Sequence, residues 1–373
     1  MHRSHVVIAL AWMGLVLGCG RTPENLPICT AANSPNSICG VMNPEDLDFL
    51  PGRAWIVVSQ MAPAEAGALP ERPGNLLAIR LADGRRKTLF PAPEGWPQAA
   101  GTRGASGGFW GDSDCAEPPE ASRFLPHGIA VGRHASGAPL LAVVGHGERE
   151  AVEFFEIVSG QHPSLVWRGC VRMPEGMMAN DLALFADGGF VVTKFMAPIE
   201  GMGPALIWSG FRVMMGWNTG AVYRWTPGGE LAPVENSAGS ALNGIAISAD
   251  QTEIFVSEWG EARIYRLRLD VEGEPVRASV AFEHRPDNLT WTRDGRLLAA
   301  GQGGGLRAIL ACGEIEKGGC GLDYGVYIVD PVSLEATLLF TGEGAASVAL
   351  EVGDEIYVGA FSGDQIERVA KPD

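Results

Sequence analysis

The sequence predicts an all-β fold, a six-bladed β-propeller with a metal site in its central channel. Three observations lead there. Gly fills 50 of 373 positions and Pro 25, and with no long helical pattern this composition suits many short strands joined by tight turns. Six segments repeat one layout: a loop ending in small or polar residues, an alternating apolar run, a Gly/Asp turn and a second apolar run. The residues that open those segments are mostly oxygen-bearing.

The chain begins with a separate object. "MHRSHVVIALAWMGLVLGCG" has a short basic start, an uncharged apolar middle and a small-residue end, the layout of a secretory signal. Its apolar run is too short for a comfortable membrane span. The "VLGC" ending resembles the lipobox of bacterial lipoproteins, in which the Cys, here Cys19, becomes the lipidated first mature residue. Residues 1–19 are therefore read as a signal peptide, 20–40 as an N-terminal tether and 41–373 as one propeller domain. The expected location is the bacterial periplasm or cell envelope, with membrane contact through an N-terminal lipid anchor. Past Cys19 stand six cysteines, an even count that suits disulfides in an exported chain. The local pairs are Cys29–Cys39 and Cys312–Cys320, leaving Cys115–Cys170, although spacing alone does not fix connectivity. No C-x-x-C or Cys/His zinc spacing occurs.

The repeat units follow in order. They are "NPEDLDFLPGRAWIVVS" from Asn43, "LPHGIAVGRHASGAPLLAVVGHG" from Leu125 and "ANDLALFADGGFVVTKF" from Ala179. Then come "LNGIAISADQTEIFVSEW" from Leu242, "PDNLTWTRDGRLLAAGQ" from Pro286 and "AASVALEVGDEIYVGAF" from Ala345. Each reads as a hairpin by its period-2 alternation and turn residues, and "EARIYRLRLD" adds a third strand to the fourth. Glu45, His127, Asn180, Asn243, Asp287 and Ala346 lie 82, 53, 63, 44 and 59 residues apart, about one four-stranded sheet per unit. Two stretches fall outside the repeat. Residues 95–120 read as a long surface loop without a role. Residues 196–220, rich in Met, Trp and Phe, read either as an apolar wall over the channel mouth or as a helix packed on the rim.

In a propeller the first strand of every blade runs along the channel, so its opening residues converge. Here they are Glu45-Asp46, His127, Asn180-Asp181, Asn243, Asp287-Asn288 and Ala346-Ser347. Carboxylates mixed with neutral amides, without Cys, are what Ca²⁺ takes. Glu45 and Asp287 balance one divalent cation, while the amides of Asn180, Asn243 and Asn288 add none. Neighbours on a strand point opposite ways. With Glu45 and Asn180 at the channel mouth, Asp46 and Asp181 face the tunnel interior, where unpartnered carboxylates are costly and a second cation would relieve them.

With these residues in place the chain resembles the paraoxonase (arylesterase/lactonase) family, within the wider group that includes senescence marker protein-30 and gluconolactonases. The matching pieces are "EDLDFLP", "PHGIAV", "HG" at 146–147, "NDLAL", "NGIAIS", "DNLTW" and "ASVALEVGDEIYVGAF". The resemblance implies a catalytic calcium held by Glu45, Asn180, Asn243, Asp287 and Asn288. It also implies a structural calcium held by Asp46, Asp181 and the backbone carbonyl of Ile129, and a His127–His146 dyad above the catalytic ion. Three departures stand out: Gln302 where the family pattern carries a His, Lys194 where it is more polar and acidic, and no Cys after Cys320 to staple the chain ends.

The expected activity is Ca²⁺-dependent hydrolysis of lactones or aryl esters. Ca²⁺ would polarise the carbonyl, and His127 would act as general base with His146 tuning it, since an unperturbed imidazole is about half charged near neutral pH. A sugar-lactonase of the same fold and a non-catalytic propeller with structural calcium that binds a protein or envelope partner are the alternatives. The pattern G-x-S-x-G occurs once, as "GASGG" at 104–108, but inside the stretch read as a surface loop and without the strand–turn–helix setting of a nucleophile elbow, which argues against a serine esterase. A formal charge of −16 argues against nucleic acid as the partner.

Overall fold

The structure, a computed structural model, describes residues 23–63, 72–91, 109–198, 204–269 and 278–372. The signal and lipobox at 1–19 and part of both non-repeat stretches lie outside those residues. Six four-stranded antiparallel sheets follow one another along the chain. Blade I opens with Pro44–Phe49, blade II with Phe124–Arg133 and blade III with Met178–Leu184. Blades IV, V and VI open with Leu242–Ile247, Arg285–Trp291 and Ala345–Val352. All six hairpins expected from the repeat form the inner two strands of a blade, and Arg263–Arg268 is the third strand of blade IV.

The ring is closed by apolar packing. A buried cluster fills each of the six blade-to-blade interfaces. Trp55, Val57 and Phe155 join blades I and II, while Ile56, Val58 and Leu350 join VI to I. Corresponding clusters fill the other four. Alternate residues of one strand face opposite neighbours, as Val57 and Ile56 do, which is why the inner strands are apolar on both sides.

Of residues 20–40, expected as a tether, the described part from 23 onward takes part in the fold. Ser37–Cys39 pairs with Gln365–Ala370 as the outermost strand of blade VI, and Glu24–Leu26 pairs with Gly319–Gly321. A sheet that otherwise ends at the C-terminus exposes an unpaired edge, and the N-terminal strand covers it. Disulfides Cys29–Cys39, Cys115–Cys170 and Cys312–Cys320 all form, the first beside this closure.

Candidate active site

Each inner strand breaks register where its opening residues stand. The shifts fall at Pro44/Asp46, Pro126/Ile129, Ala179/Leu182, Leu242/Ile245, Pro286/Leu289 and Ala346/Val348. A bulge leaves residues outside the ladder and re-aims their side chains, so six bulges around one axis turn six short motifs into one ring of donors. Two glycines allow the strands to approach. A Cβ at Gly128 would lie 2.6 Å from Asn180 O and Asp181 Cα, and one at Gly244 would lie 2.3 Å from Asp287 O. That close approach is the physical content of "PHGI" and "NGI".

Glu45, Asn180, Asn243, Asp287 and Asn288 are all buried. Asn288 Nδ2 donates to Glu45 Oε1 at 2.8 Å, and Gln302 Nε2 donates to Asp287 Oδ2. Four oxygens are left over: Glu45 Oε2 and the Oδ1 atoms of Asn180, Asn243 and Asn288 are buried without a hydrogen-bond partner. Buried polar atoms are normally satisfied, and four orphans on four of the five expected ligands amount to an acceptor-only cage. Two carboxylates and three amides fit a hard cation such as Ca²⁺. Among the described residues no three His, Cys, Asp or Glu side chains form a metal-holding cluster, so the amides are indispensable to this donor set. Burial pushes the Glu45 carboxyl well above its ordinary range, with the Asp287 charge adding to it. Burial likewise lifts Asp287 to about 7, against hydrogen bonds from Gln302 and Asn243.

Asp46 and Asp181 face the other way, as alternation requires. They line a cavity of about 700 Å³ with Asp48, Ile129, Ile245 and Trp291. Neither is bare. Asp46 accepts from the N–H groups of Leu47 (2.8 Å) and Ile129 (2.7 Å), and Asp181 from those of Leu182 (2.7 Å) and Ile245 (2.9 Å). Each carboxylate thus clamps its blade to the next, which reduces the penalty expected for unpartnered acids. Burial still holds both carboxyls well above their usual range, Asp46 also through Glu45 and Asp181 also through Asp46. The contact between Asp46 and Ile129 runs through the Ile129 N–H, which leaves the role expected for the Ile129 carbonyl untouched.

His127 and His146 meet edge to face, with His146 Nε2 3.1 Å from His127 Nδ1. His127 Nε2 looks into the cage, 3.4 Å from Asn180 Nδ2 and 3.7 Å from Glu45 Oε1. Burial, and secondly the neighbouring His146, push the His127 imidazole down to about 3. The unperturbed, half-charged ring expected from sequence is therefore a neutral one, because its pocket strips water from the cation. Two participants lacked a sequence assignment. Glu150 reaches His146 from four residues on, and the only hint was an acid just beyond a tight turn. Gln302, seen as a departure, is held by Trp259 Nε1 (2.9 Å) and donates also to Ala346 O (2.7 Å). Blade VI contributes no acid, and its Ser347 hydroxyl donates to Glu45 O at 2.7 Å.

The insertion between the second and third strands of blade III, Phe190–Met196 and Val222–Trp225, forms the helix Pro204–Met214. Val213 packs on Ala241 and Trp259 at the rim, two residues before Asn243, while Trp208, Met215 and Trp217 are about half exposed. Packing on the rim is thus observed for the Val213 face.

A family model described as SMP-30/Gluconolactonase/LRE-like region matches residues 128–317, half of the chain, including His146, Asn180, Asn243, Asp287 and Asn288. No curated protein sequence matches the chain significantly. Among solved structures, a gluconolactonase from Xanthomonas campestris aligns over 94% of this chain and 97% of its own, with 16% identity and a TM-score of 0.53. A luciferin-regenerating enzyme aligns over 93% and 94%, with 13% identity and a TM-score of 0.50. At such identities the likeness is one of fold.

Proposed function

The chain belongs to the SMP-30/gluconolactonase/LRE-like family, and from that membership we propose that it is an exported, calcium-dependent lactone hydrolase. The observation that carries the proposal is the set of four orphaned oxygens on Glu45, Asn180, Asn243 and Asn288 beside the His127 ring. Bound there, Ca²⁺ would supply Lewis-acid polarisation of the ester carbonyl and a counter-charge for the oxyanion. A second ion near Asp46 and Asp181 would tie blades together.

The side chains do the rest. His127 presents Nε2 to the cage and would take the proton as a water oxygen adds to the carbonyl carbon. As the ring C–O bond breaks, that proton returns to the leaving alkoxide, and a hydroxy acid results. Gln302 holds Asp287 in place at the cage through Oδ2. Trp208, Met215 and Trp217, close to blade IV, offer an apolar wall suited to a lipophilic acyl or aryl group, and Met adapts to varied shapes. That wall, with the His dyad, favours the paraoxonase-like reading. The gluconolactonase-like fold supports the second reading, a sugar-lactonase.

The test is a lactone and phenyl-ester panel followed with a pH indicator. Chelation should abolish turnover and Ca²⁺ should restore it. His127→Gln should lower kcat by about 10²–10⁴-fold, the usual contribution of general-base catalysis. Turnover surviving complete metal removal refutes the mechanism, and an inert panel favours the non-catalytic propeller. Three disulfides suit an oxidising compartment. Anchoring through Cys19 is tested by fatty-acid labelling, which Cys19→Ala should abolish.

A further inference from the structure

The nitrogen of His146 that faces away from His127 is held by a carboxylate. Glu150 Oε1 and Oε2 lie 2.9 and 2.8 Å from His146 Nδ1. Glu150 Oε1 also accepts the backbone N–H of Ala179 at 2.7 Å, on the strand that presents Asn180. One side chain therefore ties the dyad, in blade II, to the strand of blade III that carries a candidate ligand. Among the described residues its ion-pair partner is His146, for the adjacent Arg149 turns to Glu153 at 2.8 Å.

With His146 in its neutral form, the chain of contacts has one consistent polarity. A carboxylate accepts only, so His146 Nδ1 must carry hydrogen, and a neutral His146 then keeps its lone pair on Nε2. That lone pair faces His127 Nδ1, which becomes the donor and leaves the His127 lone pair on Nε2. At the far end, Asn180 Nδ2 faces that same Nε2 at 3.4 Å, as a donor facing an acceptor should. Both ends of the relay thus agree on which atom points its lone pair into the channel.

We propose that Glu150 is the positioning residue of this centre, fixing His146 as the Nδ1–H tautomer so that the two imidazoles run head to tail and His127 Nε2 is the free base. The catalytic consequence rests on the hydrolase reading; the tautomer does not. Glu150→Gln keeps the shape and an acceptor for Ala179, but replaces the nearer of the two oxygens at His146 Nδ1 by an amide N–H₂ that cannot accept, and so shifts the balance toward a proton on His146 Nε2. Proton transfer from water would then meet a relay of the wrong polarity.

The experiment uses the full chain with ¹⁵N-labelled histidine, free of metal, and reads the His146 tautomer from two-bond ¹⁵N–¹H correlations. The wild type should show the Nδ1–H form, and Glu150→Gln should lose it in favour of Nε2–H or a mixture. Loaded with Ca²⁺ and given a lactone, the variant should lose about 10–100-fold in kcat, the usual effect of removing such an outer partner. KM should stay within about twofold, because the residue touches no substrate. Glu150→Asp, read in the same way, retains a carboxylate and should recover part of both signals, which keeps the test open should the Gln variant fold poorly. A His146 tautomer identical in wild type and both variants overturns the inference, as does an unchanged kcat. A wild type that hydrolyses nothing sinks the hydrolase reading alone and leaves the tautomer result standing.

Discussion

Calcium should raise the melting temperature of this protein by an amount that follows from its orphaned oxygens. A buried acceptor without a partner costs about 1–3 kcal/mol, so the four on Glu45, Asn180, Asn243 and Asn288 hold roughly 4–12 kcal/mol that one cation can relieve. The observable part is set by mass action. Free Ca²⁺ at about a thousand times Kd stabilises a one-site protein by about 4.1 kcal/mol. For 373 residues, about 2.1 cal/mol/K of unfolding entropy per residue gives about 0.8 kcal/mol/K, and hence a Tm shift of about 5 °C. Calorimetry in chelator against millimolar Ca²⁺ measures it. Glu45→Gln removes one of the two charges. An affinity loss of about a hundredfold, about 2.7 kcal/mol, would cut the shift to about 2 °C. A melting temperature that moves by less than about 1 °C, with no uptake of radioactive calcium in equilibrium dialysis, refutes the reasoning.

Two further outcomes follow from the same physics. In chelator, stability should fall as pH rises from about 4 to about 7: folding raises the Asp287 carboxyl from its usual 3.8 to about 7, so its contribution is full below the unfolded value and lost through the folded one. Ca²⁺ should flatten that profile, and thermal scans across this range in both conditions would show it; parallel curves count against a cation between Glu45 and Asp287. The disulfides should rank by loop length: about 4 kcal/mol for Cys115–Cys170, closing 55 residues, against about 3 kcal/mol for Cys29–Cys39, closing 10. Denaturant unfolding of the two double Cys→Ser variants decides the order.

Much of this protein was legible without coordinates, because its repeat is local. Alternation with Gly/Asp turns defines a hairpin wherever it occurs, and six copies of one opening admit few arrangements other than a ring. The same symmetry made most of the candidate cage readable: Asn180, Asn243 and Asp287 are far apart in sequence, but each holds the same position at the bulge of its inner strand, with Glu45 at the corresponding opening of blade I; Asn288, one residue on, departs from that register. What the sequence could not reveal depends on contacts between unlike segments. Ser37–Cys39 completes blade VI only because the last sheet ends one strand short. Asp46 and Asp181 find backbone donors across blade boundaries that no local pattern encodes. The burial that pushes the His127 imidazole down exists only after the blades have closed. Glu150 illustrates the division: its spacing from His146 is visible in "HGERE", but its second bond, to Ala179, exists only where blades II and III meet. Repeat and register are properties of short segments and can be read from residues, whereas burial and the direction of a hydrogen-bond chain belong to the assembled ring.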